Sequence, residues 1–167
     1  MPASFDFIEF HQSTFNESTV DGETAFRSHD TSTGIYPIGI PDDASSGTNY
    51  SYEILIKAHC VIAPDTAVTN FKIWKDYNPV TGVRQYIGHT SGTPDSISNG
   101  QSDWATHTCD DGYNDQASAY DWDTTNSITS VDDRTYFLVL QLGVTADAIN
   151  SSFNTTTGIY HVQYDES

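Results

Sequence analysis

The chain has 167 residues and a formal net charge of −17, because 23 acidic side chains face only six Lys and Arg. Nucleic acid is excluded as a partner, since phosphate binding requires a basic stripe that six scattered cations do not supply. Such a surface is tolerable where salt screens charge at short range, so the composition indicates brine, sea water or a divalent-rich medium. A merely soluble acidic protein is the alternative interpretation.

The length is typical of one domain, and the apolar content is sufficient for a core. No stretch approaches the roughly 18 apolar residues of a membrane-spanning helix, so no membrane partner is expected. The first residues, MPASFD, lack the basic and apolar regions of a secretory signal. We therefore expect a chain that is intracellular, processed beforehand, or exported by assembly into a particle.

Strand-forming residues dominate the chain, whereas helix-forming residues are sparse. In chain order, two short strands are predicted over 4–10 and 35–40. Apolar side chains then alternate over 49–62, which predicts a long strand with one buried face. The strand predicted over 68–75 has Phe71 and Ile73 on one face and Trp74 on the other. Turn residues at 78–82 predict a hairpin that returns as a partner strand over 83–89, and 104–108 is another short candidate.

The strand predicted over 134–142 is apolar on both faces, which indicates a central position, and 158–164 closes the chain. The polar stretches 90–103 and 109–133 are predicted to be long loops. Seven or eight strands with polar turns predict an all-β fold, an antiparallel β-sandwich of jelly-roll or immunoglobulin-like type. The alternating pattern places these side chains in its core: Tyr52, Ile54, Ile56, Phe71, Ile73, Leu138, Leu140 and Val162.

The first 47 residues are rich in polar side chains and are predicted to form an N-terminal arm or edge-strand segment, followed by the sandwich domain over 48–167. Aromatic side chains carry much of the energy of protein interfaces, so phenylalanines in this segment are expected to anchor the arm on a neighbouring subunit. In the alternative, the segment supplies an ordinary edge strand of the same domain. The anchors predicted are Phe5, Phe7, Phe10 and Phe15.

The acidic loop after Cys109 is a candidate calcium site, because calcium prefers hard oxygen ligands on a flexible loop. The ligands predicted are Asp110, Asp111, Asn114 and Asp115. Their spacing departs from the twelve-residue calcium loop, and a solvated acidic turn is the alternative. No other cofactor is expected. Cys109 also leaves open a single disulfide with Cys60, whose geometry the spacing does not determine.

Aromatic side chains around the same loop are candidates for an interface or for stacking on a sugar ring: Trp104, Tyr113, Tyr120 and Trp122. Flat rings beside Asp and Asn could stack on a sugar and bind its hydroxyls, or they could cap one end of the sandwich core. Enzymatic activity is not expected. His107 and Cys109 lack the context that activates a thiol, and so many acids make any choice of a hydrolytic pair arbitrary.

Three regions of the sequence carry a resemblance to known proteins through the residues of their strands. The regions are YSYE (50–53) through HCVIAPD (59–65), then NFKIWKD (70–76) with TGV (81–83) and YIG (86–88), and finally YFLVLQL (136–142) with GIY (158–160) to YDE (164–166). Together they resemble small β-sandwich structural proteins found in the virions of tailed bacterial and archaeal viruses, over roughly the C-terminal two-thirds of the chain.

This resemblance implies a virion component that acts through contacts rather than chemistry. The specific expectation is a homo-oligomeric decoration or cement protein on the capsid exterior, with the major capsid protein as its other partner. The alternative is a host-attachment or glycan-binding module on a tail or surface fibre. Such a module would bind either with calcium or without it. A virus of a halophilic or marine host would agree with the acidic composition.

Overall fold

A computed structural model describes residues 2–11, 16–20, 47–76, 81–93, 101–108, 113, 115–148 and 160–167. These residues contain no α-helix, and none of their helical segments is long and apolar enough to cross a membrane. A single 3₁₀ turn over Gln116–Ser118 lies among them. The strands are β1 Ser4–His11, β2 Asn16–Thr19, β3 Thr48–Tyr50, β4 Ile54–Ile62, β5 Val68–Lys75, β6 Val83–Thr90, β7 His107–Thr108, β8 Tyr120–Asp123, β9 Phe137–Thr145 and β10 Tyr160–Glu166.

The strands form two antiparallel sheets that pack face to face. The large sheet has the order β2-β1-β4-β9-β6-β7, with β3 also paired to β9, and the small sheet has the order β10-β5-β8. An apolar cluster with members from both sheets fills the space between them. The predicted all-β antiparallel sandwich is therefore confirmed.

Strand β9 is central in the large sheet, as its two apolar faces predict. It pairs with β3, β4 and β6, and eight of its nine residues are buried. The strand begins later than predicted because the preceding backbone is bound elsewhere. The N–H of Tyr136 donates to Oδ2 of Asp123, and its carbonyl accepts from Nε1 of Trp122.

The single strand predicted over 49–62 is divided into β3 and β4. Tyr50 lies opposite Gly143 and Ile54 opposite Leu140, so four steps along this segment match three along β9. The extra residue reverses the alternation, which buries Ser51 although its position predicted a polar face. The Ser51 hydroxyl compensates by accepting from the N–H of Leu142 and donating to the carbonyl of Tyr52.

The hairpin predicted between 68–75 and 83–89 is wrong, although both strands exist. Strand β5 pairs with β10 and β8 in the small sheet, whereas β6 pairs with β9 and β7 in the large sheet. Each strand has an apolar inner face, represented by Ile73 and Ile87 in the common cluster. Alternation predicts such a face but does not distinguish pairing within one sheet from packing across the sandwich.

Two apolar clusters lie on opposite faces of the large sheet. Six of the eight predicted core residues are buried in the cluster between the sheets, which Val162 contacts from a partly buried position. The outer cluster comprises Ile8, Phe10, Leu55, Ala105, Phe137 and Val139, and the partly buried Tyr52 packs against it. The large sheet is therefore covered on both faces.

The segment 101–106 covers part of that outer face. The Ser102 hydroxyl accepts from the N–H groups of Trp104 and Ala105, and Oε1 of the buried Gln141 accepts from the N–H of Ser102. The backbone of Trp104 lies so close to Gly88 that a Cβ there would be 1.8 Å from the Trp104 carbonyl oxygen. Glycine at position 88 thus allows this segment to contact the sheet.

The N-terminal segment contributes two strands to the large sheet. Strand β1 lies between β2 and β4, with seven residue pairs along β4. The alternative prediction of an edge strand differs from this arrangement in one respect, because β1 is an internal strand and β2 lies at the edge. Within the stretch predicted to be a loop over 109–133, the structure places β8 as a strand of the small sheet. The short strand predicted over 35–40 lies outside the described residues.

Candidate functional site

The predicted calcium ligands Asp110, Asp111 and Asn114 lie outside the described residues. Asp115 is exposed and caps the 3₁₀ turn, since its Oδ1 accepts from the N–H and the hydroxyl of Ser118 at 2.8 and 2.9 Å. These hydrogen bonds lower the pKa of Asp115, first through the hydroxyl and then through the backbone. No group of three or more His, Cys, Asp or Glu side chains that could hold a metal occurs in the part of the chain that the structure describes.

The four aromatic candidates do not form one surface. Trp122 is fully buried between the sheets and donates from Nε1 to the Tyr136 carbonyl. Tyr120 is buried in the same cluster and Tyr113 packs against it, whereas Trp104 packs against the outer cluster of the large sheet. Three of the four rings therefore belong to the core between the sheets or pack on it.

Tyr120 is the centre of an aromatic group that includes two imidazoles. Its hydroxyl lies 2.7 Å from Nδ1 of His89, and its ring contacts those of His107 and Tyr113 with centroid distances of 5.4 and 5.1 Å. Burial raises the pKa of Tyr120 to about 12, with a further contribution from Tyr113. The phenol therefore remains neutral at physiological pH, and its role is to pack and to hydrogen-bond.

The predicted interface phenylalanines in β1 pack on their own domain. Phe5 makes edge contacts with the rings of Phe71 and Tyr164, each at a centroid distance of 5.2 Å. Phe7 stacks on Trp122, and the buried Phe10 contacts Phe137. The three described rings thus contribute to the two apolar clusters of the sandwich. The fourth predicted anchor, Phe15, lies outside the described residues.

Cys60 is a free, buried thiol, and Cys109, the partner in the disulfide that the sequence left open, lies outside the described residues. Its Sγ donates to the carbonyl of Ile62 at 3.2 Å. Burial raises the pKa of the Cys60 thiol, and the nearby Asp133 carboxylate raises it further. A neutral, buried thiol is a packing element rather than a nucleophile.

The outer face of the small sheet differs from every surface described so far, because its strands present an aromatic pair among polar side chains. Trp74 on β5 lies directly opposite His161 on β10, and their rings stack with an interplanar angle of 11° and a centroid distance of 5.1 Å. Nε2 of His161 lies 2.8 Å from Oδ2 of Asp76. We call Trp74, His161, Asp76, Gln116 and Gln163 the outer platform.

The amides of the outer platform bridge the face of the sheet. Gln163 lies on β10 opposite Lys72 of β5, whereas Gln116 lies just before β8, on the far side of β5. Nε2 of Gln116 donates to Oε1 of Gln163 at 2.7 Å, so this bridge passes over β5, the strand that carries Trp74. Beyond it, Nζ of Lys72 pairs with Oδ1 of Asp121 at 3.1 Å.

The outer platform is accessible from solvent. The side chains of His161 and Asp76 are 38% and 64% exposed, Gln116 is exposed, and Trp74 and Gln163 are partly exposed. The aromatic residues predicted from the sequence lie near the acidic loop and do not include Trp74. A signal for it was present, because the alternation in 68–75 already places Trp74 on the face opposite Phe71 and Ile73.

Comparisons with protein-family models, with curated proteins and with solved structures found no match to this chain.

Proposed function

We propose that the protein is a non-enzymatic structural component of a virus particle, an oligomeric decoration or cement protein on the capsid exterior of a tailed virus from a saline environment. The observation that carries the proposal is where the resembling segments lie. They coincide with most of β4, β5, β9 and β10 and with half of β6, which are strands of both sheets. The resemblance therefore involves the framework of the sandwich and not an appended loop.

The buried polar side chains support a structural role because each fixes the chain locally. The carboxylate of Asp123 is almost fully buried and accepts from the N–H groups of Thr125, Asn126 and Tyr136. The buried Gln141 donates from Nε2 to the carbonyl of Ser51. Hydrogen bonds of this kind rigidify a domain whose task is to keep a fixed shape.

The acidic surface determines how such a protein associates. Copies with a net charge of −17 repel one another, so contacts between them must bury apolar and hydrogen-bonding surface under salt that screens the repulsion. Ile62 and Val131 are exposed large apolar side chains of the described residues, at 44% and 51%. The hydrogen bond from the N–H of Asp132 to the Cys60 carbonyl brings their two segments together. They are our candidates for an intersubunit contact.

The test of the proposal is the protein inventory of purified particles from a culture that produces the chain. Quantitative mass spectrometry should find the chain at a fixed ratio to the major capsid protein that survives repeated purification in high salt. Its absence from intact particles would contradict the proposal. A few copies per particle, associated with tail proteins, would instead support the host-attachment alternative.

The contact proposed for Ile62 and Val131 has a separate test in solution. Light scattering in molar NaCl should give a mass that is a multiple of the 18.4 kDa chain. The double variant Ile62→Ser, Val131→Ser should shift the mass toward the monomer, whereas Gln101→Ser at another exposed position should not. An unchanged oligomer in the double variant would place the contact elsewhere.

A further inference from the structure

We infer that the outer platform binds the ring of a neutral hexopyranose, at the end of or within an oligosaccharide. Trp74 is the anchor of this site, and the side chains of His161, Asp76, Gln116 and Gln163 surround it. The inference is independent of the proposed virion role, because a sugar site is compatible with a capsid protein, a tail protein or neither.

The aromatic pair supplies the apolar part of such a site. A pyranose presents a face of C–H groups that packs on a flat aromatic ring, and indole offers the largest such ring among side chains. His161 stacks on one face of the Trp74 indole, so the indole is held in a fixed orientation before a ligand arrives. A ring that is already oriented loses little conformational freedom on binding.

The polar part is supplied by planar groups that both donate and accept hydrogen bonds. The Gln116–Gln163 bridge uses one donor and one acceptor and leaves the opposite ends of both amides for a ligand. In the same way, the contact of His161 with Asp76 uses Oδ2 of the carboxylate and leaves Oδ1 on an exposed side chain. Vicinal hydroxyl groups of a sugar match such paired donors and acceptors. The bridges also keep these side chains in place, as a specific site requires.

The charge on this face selects among sugars. Asp76 and Asp121 are exposed carboxylates on it, and Asp165 at its end accepts a hydrogen bond from Asn70, whereas the Lys72 ammonium is already paired with Asp121. The protein as a whole carries −17. Sialylated, uronic or phosphorylated sugars would be repelled, so the complementary ligand is neutral.

The experiment is a printed array of neutral and anionic oligosaccharides probed with the full-length protein at physiological ionic strength, where charge repulsion is only partly screened, followed by calorimetric titration of the best neutral binder. We expect binding to neutral hexose-containing glycans and none to their sialylated counterparts. Trp74→Ala should weaken the affinity at least about tenfold. Gln163→Ala should weaken it less, since the second amide remains.

Matched variants distinguish binding at this site from binding elsewhere on the protein and from a loss of folding. Trp104→Phe changes a tryptophan on the opposite side of the sandwich and should leave the affinity unchanged. Thermal unfolding of Trp74→Ala checks that the variant is folded, and His161→Ala provides a second, milder disruption of the same site. Failure of every neutral glycan to bind, or binding that is lost in Trp104→Phe and retained in Trp74→Ala, would overturn the inference.

Discussion

The two sheets of this sandwich differ in how their outer faces are covered. The outer face of the large sheet carries a second apolar cluster, onto which the segment around Trp104 and Ala105 packs. The outer face of the small sheet instead carries Trp74, stacked on His161, among hydrogen-bonded polar side chains. In the part of the chain that the structure describes, the large sheet is thus buried on both faces and the small sheet on one. We infer that the second apolar cluster adds to the stability of the large sheet, whereas the outer face of the small sheet provides an accessible surface.

Two tryptophans of the small sheet test whether its outer face contributes less to stability than its inner face. Trp122→Ala should lower the free energy of unfolding by about 3–5 kcal/mol, because it removes a fully buried ring between the sheets. Trp74→Ala should cost only about 1 kcal/mol, since it removes one stacked pair on an open face. Chemical denaturation of both variants measures the difference. Equal losses would mean that the outer face of the small sheet is as structural as the core.

A glycine pair tests whether the large sheet is covered as described. Gly88→Ala should destabilise by about 3 kcal/mol, because the added Cβ meets the backbone carbonyl of Trp104 and the segment must move. Gly92→Ala is the control, since its Cβ would meet only the Thr90 hydroxyl at 3.8 Å. The midpoint of urea unfolding measures the effect of each of the two substitutions on stability. If Gly88→Ala leaves the stability unchanged, segment 101–106 is not held against the sheet.

A smaller effect is expected from the side chain that holds this segment. Ser102→Ala should cost about 1–2 kcal/mol, because it deprives the N–H groups of Trp104 and Ala105 of their acceptor near a buried surface. Hydrogen exchange at the backbone amides of Trp104 and Ala105 should become faster, and this increase should exceed any increase at the amides in the rest of the sheet. Ser118→Ala, in the 3₁₀ turn, is a control that should change global stability little.

The sequence predicts the burial of residues that follow a regular alternation of apolar and polar side chains. Ile54, Ile56, Leu138 and Leu140 follow such an alternation, and their burial between the sheets was predicted. Trp122 is flanked by Asp121 and Asp123, a pattern typical of a polar loop. Its burial requires the hydrogen bonds that the Asp123 carboxylate makes to three backbone N–H groups, and these partners come together only in the folded chain.

The candidate site was harder to predict than the core. Alternation places Trp74 on an outer face, but its partner His161 is 87 positions further along the chain (161 − 74) and meets it through the pairing of β5 with β10. Gln116 reaches Gln163 in the same way from before β8. These contacts depend on which strands pair across long stretches of the chain. The periodicity within one segment does not indicate that pairing.

The region between the two sheets should respond to alkaline pH through Tyr120. Its pKa rises from 10.0 to about 12 on folding, so the stability that the neutral phenol contributes is complete below pH 10 and is lost as the pH rises towards 12. Tyr120→Phe should flatten this part of the pH profile. Tyr136→Phe is the control, at the partly exposed ring that stacks on His89. An unchanged alkaline profile in Tyr120→Phe would refute the burial of its hydroxyl.

The smallest expected effect comes from an ion pair at the edge of the large sheet. Both guanidinium nitrogens of Arg134 donate to the carboxylate of Glu17, at 2.7 and 3.1 Å, and the hydrogen bond lowers the pKa of Glu17 below 4.5. Both side chains are partly exposed, so Glu17→Gln should cost about 0.5 kcal/mol or less. The contribution is present above pH 4.5 and fades as the pH falls below the lowered pKa. A cost that persists in molar NaCl would show a role beyond the ion pair.

Hydroxyl-radical footprinting of the wild-type protein tests the central claim most directly, because it compares the two sheets without any substitution. Oxidation of each side chain is quantified by mass spectrometry on the folded protein. We expect Trp74 and His161 on the outer face of the small sheet to be oxidised several-fold faster than Phe10 and Phe137 on the outer face of the large sheet, after correction for the intrinsic reactivity of each side chain. Similar protection of Trp74 and Phe137 in the free protein would contradict the claim, since the outer face of the small sheet would then be covered as that of the large sheet is.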